Sequence, residues 1–286
     1  MRADAANKVV SCTYAGFCAR WLLARALAPQ EEVLATIDNA ALIGAFYEAR
    51  RDGTQPVGVE AVQISLEQAM ETQLAVLDRL VADGETLGGW KVGLTSGRSR
   101  DMMGPGFRPF GYILRSRVLA SGASHPRDAI MRRRIEPELC LILGKPLRGP
   151  VSVEEARDAV RGVAAAFEIN ELRTDPTWAR PLLLADGLAN WGVVLGPEAP
   201  VRDALADTTV HFYCDDELID EVTPGDTMDD PFQSLARLSA LLDAHGRGLE
   251  AGQPVITGSF SQTAVKRPAL YRATFSDIGE VAFRFT

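Results

Sequence analysis

The chain has 286 residues, enough for one large domain or a domain with a smaller appendage, and its 47% hydrophobic and 24% charged content is that of a soluble globular protein. A net charge of −8 argues against a nucleic-acid footprint, and no apolar run reaches the roughly 20 residues that span a membrane. The 4 cysteines form no C-x-x-C pair and the 3 histidines are scattered, which speaks against a zinc cluster and for a reducing, cytoplasmic setting.

Residues 1–36 read as an N-terminal extension. Its apolar stretch from Val9 to Leu27 is interrupted by Arg20 and Arg25, which suits an amphipathic helix better than a secretion signal. Residues 37–50 carry Leu42, Ile43, Phe46 and Tyr47 at helical spacing, and Gly53 and Pro56 break the pattern. A second helix runs from about Ser65 to Asp83, with Leu66, Met70, Leu74, Leu77 and Leu80 on it and Gly84 at its end. Residues 37–87 are therefore expected to form a small helical subdomain, and residues 88–286 a β-rich domain.

Within the β-rich part, Trp90 to Leu94 reads as a strand. Lys91 and Gly93 share one face of it, opposite to Trp90, Val92 and Leu94. A Gly/Pro-rich loop from Gly104 to Gly111 leads into a strand from Tyr112. The next strand, Arg134 to Leu143, is closed by Gly144 and Pro146. Its Glu136 and Glu138 point the same way, about 7 Å apart. Two carboxylates on one face of a strand that becomes wholly apolar are costly to bury unless something neutralises them. A divalent cation would do so. Exposure to water, or ordinary ion pairs with Arg132, Arg133 and Arg134, would serve as well.

Ser152 caps a helix from Val153 to about Gly162, with Glu154 and Glu155 in its first turn. The apolar segment Val163 to Ile169 carries Glu168 near its end. An Asp186-Gly187 turn precedes the strand Trp191 to Leu195, and Thr209 to Glu221 reads as a hairpin around Asp215-Asp216. Pro231 to His245 is a helix with Leu235, Leu238, Leu241 and Leu242. Val255 to Phe260, Leu270 to Phe275 and Val281 to Phe285 are closing strands. Many short strands with few helices predict an α+β fold built on a mostly antiparallel, curled β-sheet.

The chemistry-bearing residues recur at strand ends: Lys91, Glu136, Glu138 and Glu168. Three carboxylates favour a hard cation, Mg2+ or Mn2+, over zinc. They leave coordination positions open for a bidentate ligand such as a 2-oxo acid, whose developing charge the cation would hold. Taken singly, each residue has a plainer reading: Lys91 as a surface lysine, Glu168 as a strand-end carboxylate, Asp186 as turn chemistry before Gly187. No P-loop, Gly-x-Gly-x-x-Gly fingerprint or Gly-x-Ser-x-Gly elbow occurs.

A set of motifs gathers these residues. They are Gly89-Trp90-Lys91-Val92-Gly93-Leu94-Thr95-Ser96, Arg134-Ile135-Glu136-Pro137-Glu138-Leu139, Phe167-Glu168-Ile169 with Arg173, and Ala185-Asp186 before Val193-Val194-Leu195-Gly196. Leu249-Glu250-Ala251-Gly252-Gln253, Thr257-Gly258-Ser259 and Ile278-Gly279-Glu280-Val281 follow. Their order, from about Ala40 to Thr286, resembles the hydratase/decarboxylase branch of the fumarylacetoacetate hydrolase superfamily, enzymes of aromatic meta-cleavage pathways. The resemblance implies that Glu136, Glu138 and Glu168 are metal ligands and that Lys91 is a catalytic lysine. Asp186 matches a polar position of the catalytic pocket, and Ser259 and Leu94 match positions beside the substrate. It further implies a Mg2+ or Mn2+ cofactor, a small 2-oxo acid substrate, and a homo-oligomer that in some members joins a pathway enzyme.

Two reactions would share one dienolate: decarboxylation of a 2-oxo-3-enedioate, and conjugate hydration of a 2-hydroxydienoate. Hydratases of the branch typically carry an acidic residue two positions before the glycine of the loop. Here that position is Pro109, in Arg108-Pro109-Phe110-Gly111, which favours decarboxylation. Arg108 is then expected to meet the distal carboxylate of a dicarboxylate substrate. Gly187, where members carry Asn, and Leu172, where they often carry Ser, suggest an unusual substrate or a shift to isomerisation. C–C hydrolysis of the acylpyruvase type usually needs a histidine near the lysine region, and none is close in the sequence. A purely assembly role is disfavoured by retention of Lys91 and all three glutamates.

Overall fold

The computed structural model describes residues 37–202 and 205–286; the N-terminal extension and its expected helix lie outside them. Helix α1 (Asn39–Asp52) ends where Gly53 turns into the left-handed region at φ 66°, its N–H bonded to Ala49 O. Helix α2 (Leu66–Ala82) starts with a reciprocal cap. Gln68 N donates to Ser65 Oγ at 3.1 Å, and Ser65 N donates to Gln68 Oε1 at 3.0 Å. Both helices bury their apolar sides (Leu42, Phe46, Met70, Leu74, Leu77) in the same hydrophobic cluster as Trp90, Phe110 and Tyr112 of the sheet. No helix among the described residues is long and apolar enough to cross a membrane.

Strands β1 (Leu87–Val92), β2 (Phe110–Leu114), β3 (Val118–Ala120), β4 (Ser124–His125) and β5 (Arg134–Leu143) follow. β1 stops before Leu94, which turns away at φ 60°. Helix α3 (Val153–Ala159) is shorter than its sequence suggests. Val160 is already extended and begins the long strand β6 (Val160–Asn170), to which β-branched Val160 and Val163 are suited. The short helix α4 (Arg180–Ala185) is not legible in the sequence, because its N-cap, Ala179, offers no side-chain acceptor. After it come β7 (Asn190–Ala199), β8 (Val210–Cys214), β9 (Glu217–Val222), helix α5 (Pro231–Ala244), β10 (Pro254–Ser259), β11 (Thr263–Ala264), β12 (Ala269–Phe275) and β13 (Gly279–Phe285).

Two sheets result, and the fold is the curled, mostly antiparallel α+β architecture expected from the sequence. The larger runs β2-β1-β10-β5-β6-β7-β3, with β11 beside β5; the smaller runs β4-β13-β12-β8-β9. Among the described residues, only β1·β10, β3·β7 and β4·β13 pair in parallel. Aromatic contacts join the two sheets: Phe167 on β6 lies 5.6 Å from Phe212 on β8, which lies 6.0 Å from Tyr271 on β12.

Strand alternation sorts β5 into two faces. Ile135, Leu139, Leu141 and Leu143 enter the main core. Cys140 and Ile142 join a second, smaller cluster with Ile113, Ala164, Ala166, Val193 and Ile256. Glu136 and Glu138 continue this second face toward the start of the strand. A polar site thus opens where a fully apolar face ends.

Candidate metal centre and active site

Strand register assembles the carboxylates. Glu136 stands opposite Glu168 across β5 and β6, and Glu138 stands opposite Ser259 across β5 and β10. One oxygen from each of Glu136, Glu138 and Glu168 can be chosen so that all lie within 4.8 Å of one another. The three residues are 8%, 3% and 1% exposed, so water cannot be their main solvation. The arginines that might have neutralised them donate to other groups. Arg132 donates to the carbonyls of Leu172, Arg173 and Thr174, Arg133 to those of Ile130 and Val265, and Arg134 to the Gln262 side chain.

Each carboxylate is held by a specific donor. Gly258 N donates to Glu138 Oε2 at 2.9 Å, Gln262 Nε2 to Glu136 Oε1, and Asn190 Nδ2 to Glu168 Oε1 at 2.8 Å. Gly258 has to be glycine: at φ 157°, a Cβ there would stand 2.7 Å from Thr95 Oγ1 and 2.9 Å from Met228 Sδ. Lys91 Nζ donates to Glu168 Oε1 and, at 3.2 Å, to Leu188 O. Its stem lies where Gly111 leaves room, since a Cβ on Gly111 would come within 2.9 Å of Lys91 Cγ.

Burial, and then the Glu168 charge, push the Glu136 carboxyl up to about 7. Burial followed by Glu168 and Glu136 holds Glu138 well above the usual carboxylate range. For Lys91, burial works to lower the ammonium, but Glu168, Glu136 and Glu138 outweigh it and keep it above the ordinary lysine value. Three buried carboxylates therefore face one ammonium. The donor set, all oxygen and short of positive charge, fits a hard divalent cation.

The centre lies in a cavity of about 610 Å³. Lys91, Leu94 and Ser259 line it with the three glutamates; Leu172, Leu183 and Leu188 give it an apolar wall, and Arg98 and Arg134 supply its other cations. Arg108 and Asp186 are not brought there. Arg108 is buried, not solvent-facing, and its guanidinium is held by Asp229 and, at 2.6 Å, by Asp101. It pins the 101–109 loop instead of awaiting a substrate. Asp186 is turned toward Arg173, whose Nε donates to its Oδ1 at 3.0 Å while Nη1 pairs with Glu171.

Arg134 and Asn170 were open to sequence reasoning, since they stand two residues before Glu136 and two after Glu168 on the same strand faces. Gln262 and Asn190 carry no comparable local signal.

Residues 98–286 match the family described as Fumarylacetoacetate (FAA) hydrolase C-terminal. The chain belongs to this family. It is 28% identical over 249 residues to a 2-oxo-hept-4-ene-1,7-dioate hydratase of Escherichia coli, covering 83% of this chain and 93% of that one. It is 26% identical over 252 residues to a 4-oxalocrotonate decarboxylase of a Pseudomonas species, covering 87% and 95%. A structure of 4-oxalocrotonate decarboxylase from Pseudomonas putida G7, complexed with magnesium and adipate, superposes with a TM-score of 0.80 at 20% identity. That match covers 88% of this fumarylacetoacetate hydrolase family member and 99% of the other chain. These relatives are a hydratase and decarboxylases, one solved with bound magnesium, and the decarboxylase structure shares the fold of this chain.

Proposed function

We propose that this protein is a Mg2+- or Mn2+-dependent lyase that decarboxylates a 2-oxo-enedioate, using Glu136, Glu138 and Glu168 as metal ligands and Lys91 as the catalytic cation. One observation favours decarboxylation over hydration. Every carboxylate that lines the cavity, among the described residues, belongs to the triad. Asp186 and Glu171 are paired with Arg173, Asp220 is held by Ser261 Oγ at 2.5 Å, and the loop position that would bear a water-activating acid is the buried Pro109. Decarboxylation needs no such base.

When bound, the cation supplies Lewis-acid stabilisation of negative charge on the substrate's oxygens. The remaining work falls to the chain. Lys91 Nζ carries a proton into the cavity beside Glu168, where it can donate to an oxygen on which charge builds. Leu94, Leu172 and Leu188 keep water from the reacting carbons. Arg98 and Arg134, rather than Arg108, are the cations within the cavity for a second carboxylate. In the reaction the distal C–CO2 bond breaks, its electron pair passes into the conjugated 2-oxo system, and CO2 leaves.

Hydration by the same site is the second reading. It is supported by the similarity to the dioate hydratase over 93% of that enzyme's length. The two separate in one assay. A 2-oxo-hexenedioate is given to the protein with Mg2+, and the dienoate chromophore and CO2 are followed together. Equimolar CO2 and transient dienoate are expected. Substrate turnover without CO2 would sink decarboxylation and leave hydration or isomerisation.

A further inference from the structure

We infer that Asn190 is a positioning residue of the metal centre: its amide fixes one oxygen of Glu168 and leaves the other for the cation. The inference rests on the reading of the three glutamates as metal ligands, and adds to it a residue that only the fold reveals.

Three observations meet at Asn190. First, it is fully buried, and its Nδ2 donates to the same Glu168 oxygen that accepts from Lys91, while no donor among the described residues is placed on Oε2. A neutral donor holds that carboxylate without adding charge to a site already short of cations. Second, its Oδ1 is buried without a hydrogen-bond partner among the described residues. Leaving a buried acceptor unpaired is costly, and such exceptions in a native fold call for a reason. Here the amide is oriented by Glu168 at the expense of its own oxygen. Third, the backbone leading to it is strained. Gly187, Leu188 and Ala189 all lie in the left-handed region, at φ 69°, 55° and 57°. Leucine and alanine rarely adopt it. The excursion aims Leu188 O at Lys91 Nζ and delivers Asn190 to Glu168 at the first residue of β7.

Arg50 secures this arrangement from behind. Its Nη1 donates to Asn190 O, and its guanidinium lies over the Tyr112 ring, 5.3 Å from the centroid. Helix α1, far from the metal ligands in sequence, thereby braces the residue that orients one of them. Groups that orient a metal ligand in this way characteristically change metal affinity by about 10–100-fold when removed.

The test uses Asn190→Leu, which keeps the branched side-chain skeleton and deletes the donor. Mn2+ is titrated into the metal-free full-length protein and followed by electron paramagnetic resonance. Mn2+ affinity about 10–100-fold below that of the parent, with an altered spectrum of the bound ion, is expected. Arg50→Met should shift affinity in the same direction by less. A folded Asn190→Leu protein that binds Mn2+ within about twofold of the parent would overturn the inference while leaving the metal centre standing. If Asn190→Leu does not fold, an unchanged affinity in Arg50→Met overturns it instead. A parent protein that binds no Mn2+ would overturn the metal reading and this inference together.

Discussion

Glu138→Gln is expected to abolish saturable Mn2+ binding and, in the metal-free protein, to raise the melting temperature. The two effects have one cause. Glutamine keeps the side-chain shape and still offers an oxygen to Gly258 N–H, but it removes a buried negative charge that faces Glu168 and Glu136. Without a cation, that charge is a liability. The sign follows from the raised carboxyl values. A carboxyl bound more tightly to its proton in the folded state costs nothing below its unfolded value. It destabilises increasingly as pH rises toward the folded value, and fully above it. Glu136, raised from 4.5 to about 7, sets the scale at on the order of 3 kcal/mol. In a chain of this size that is on the order of 5–10 °C. The gain should be present near neutral pH and absent near pH ~4. Differential scanning calorimetry with and without Mn2+ reads both halves. A variant that still binds Mn2+ as the parent does, or melts lower when metal-free, would contradict the site.

Lys91→Met separates the proposed proton carrier from the proposed metal ligands. A fall in kcat of about 10²–10⁴ is expected, the usual range for a positioned proton-transfer group. Mn2+ affinity should not fall with it. Lys91 Nζ occupies Glu168 Oε1 and repels a nearby cation, so its removal leaves the carboxylates freer to bind metal. The metal-free fold should suffer, because three buried carboxylates lose their one neighbouring ammonium; about 3–5 kcal/mol is typical for breaking a buried pair. Steady-state kinetics and metal titration on the same preparation give the comparison. Parallel losses in kcat and affinity would mean that Lys91 acts through the metal site rather than on the substrate.

Much of the centre was legible because strand alternation is a local rule. The apolar run after Glu138 marked β5, and a period of two placed Glu136 and Glu138 on one face. That Glu168 completes the site depends on the β5·β6 register, which joins residues 32 positions apart and is not a local property. Arg108 shows the opposite failure. Its Gly/Pro-rich surroundings suggest an exposed loop, but its partner Asp229 lies 121 residues downstream, and the pair draws the loop inward. Asp186 was placed correctly before a left-handed Gly187, yet the turn sends its side chain to Arg173 instead of into the cavity. Leu188 and Ala189 in left-handed conformations run against residue preference, so no propensity argument finds the path that brings Asn190 to Glu168.

The most direct test of the central claim is calorimetric titration of Mn2+ into protein stripped of metal, at pH near ~8 and near ~6. One saturable site per chain is predicted, tighter at the higher pH. Glu136, with its carboxyl pushed up to about 7, holds a proton at the lower pH that the cation must displace, burial pushes Glu138 in the same direction, and each released proton steepens the dependence by up to about tenfold per pH unit. No saturable binding at either pH, or an affinity indifferent to pH across this interval, would contradict a centre built from Glu136, Glu138 and Glu168.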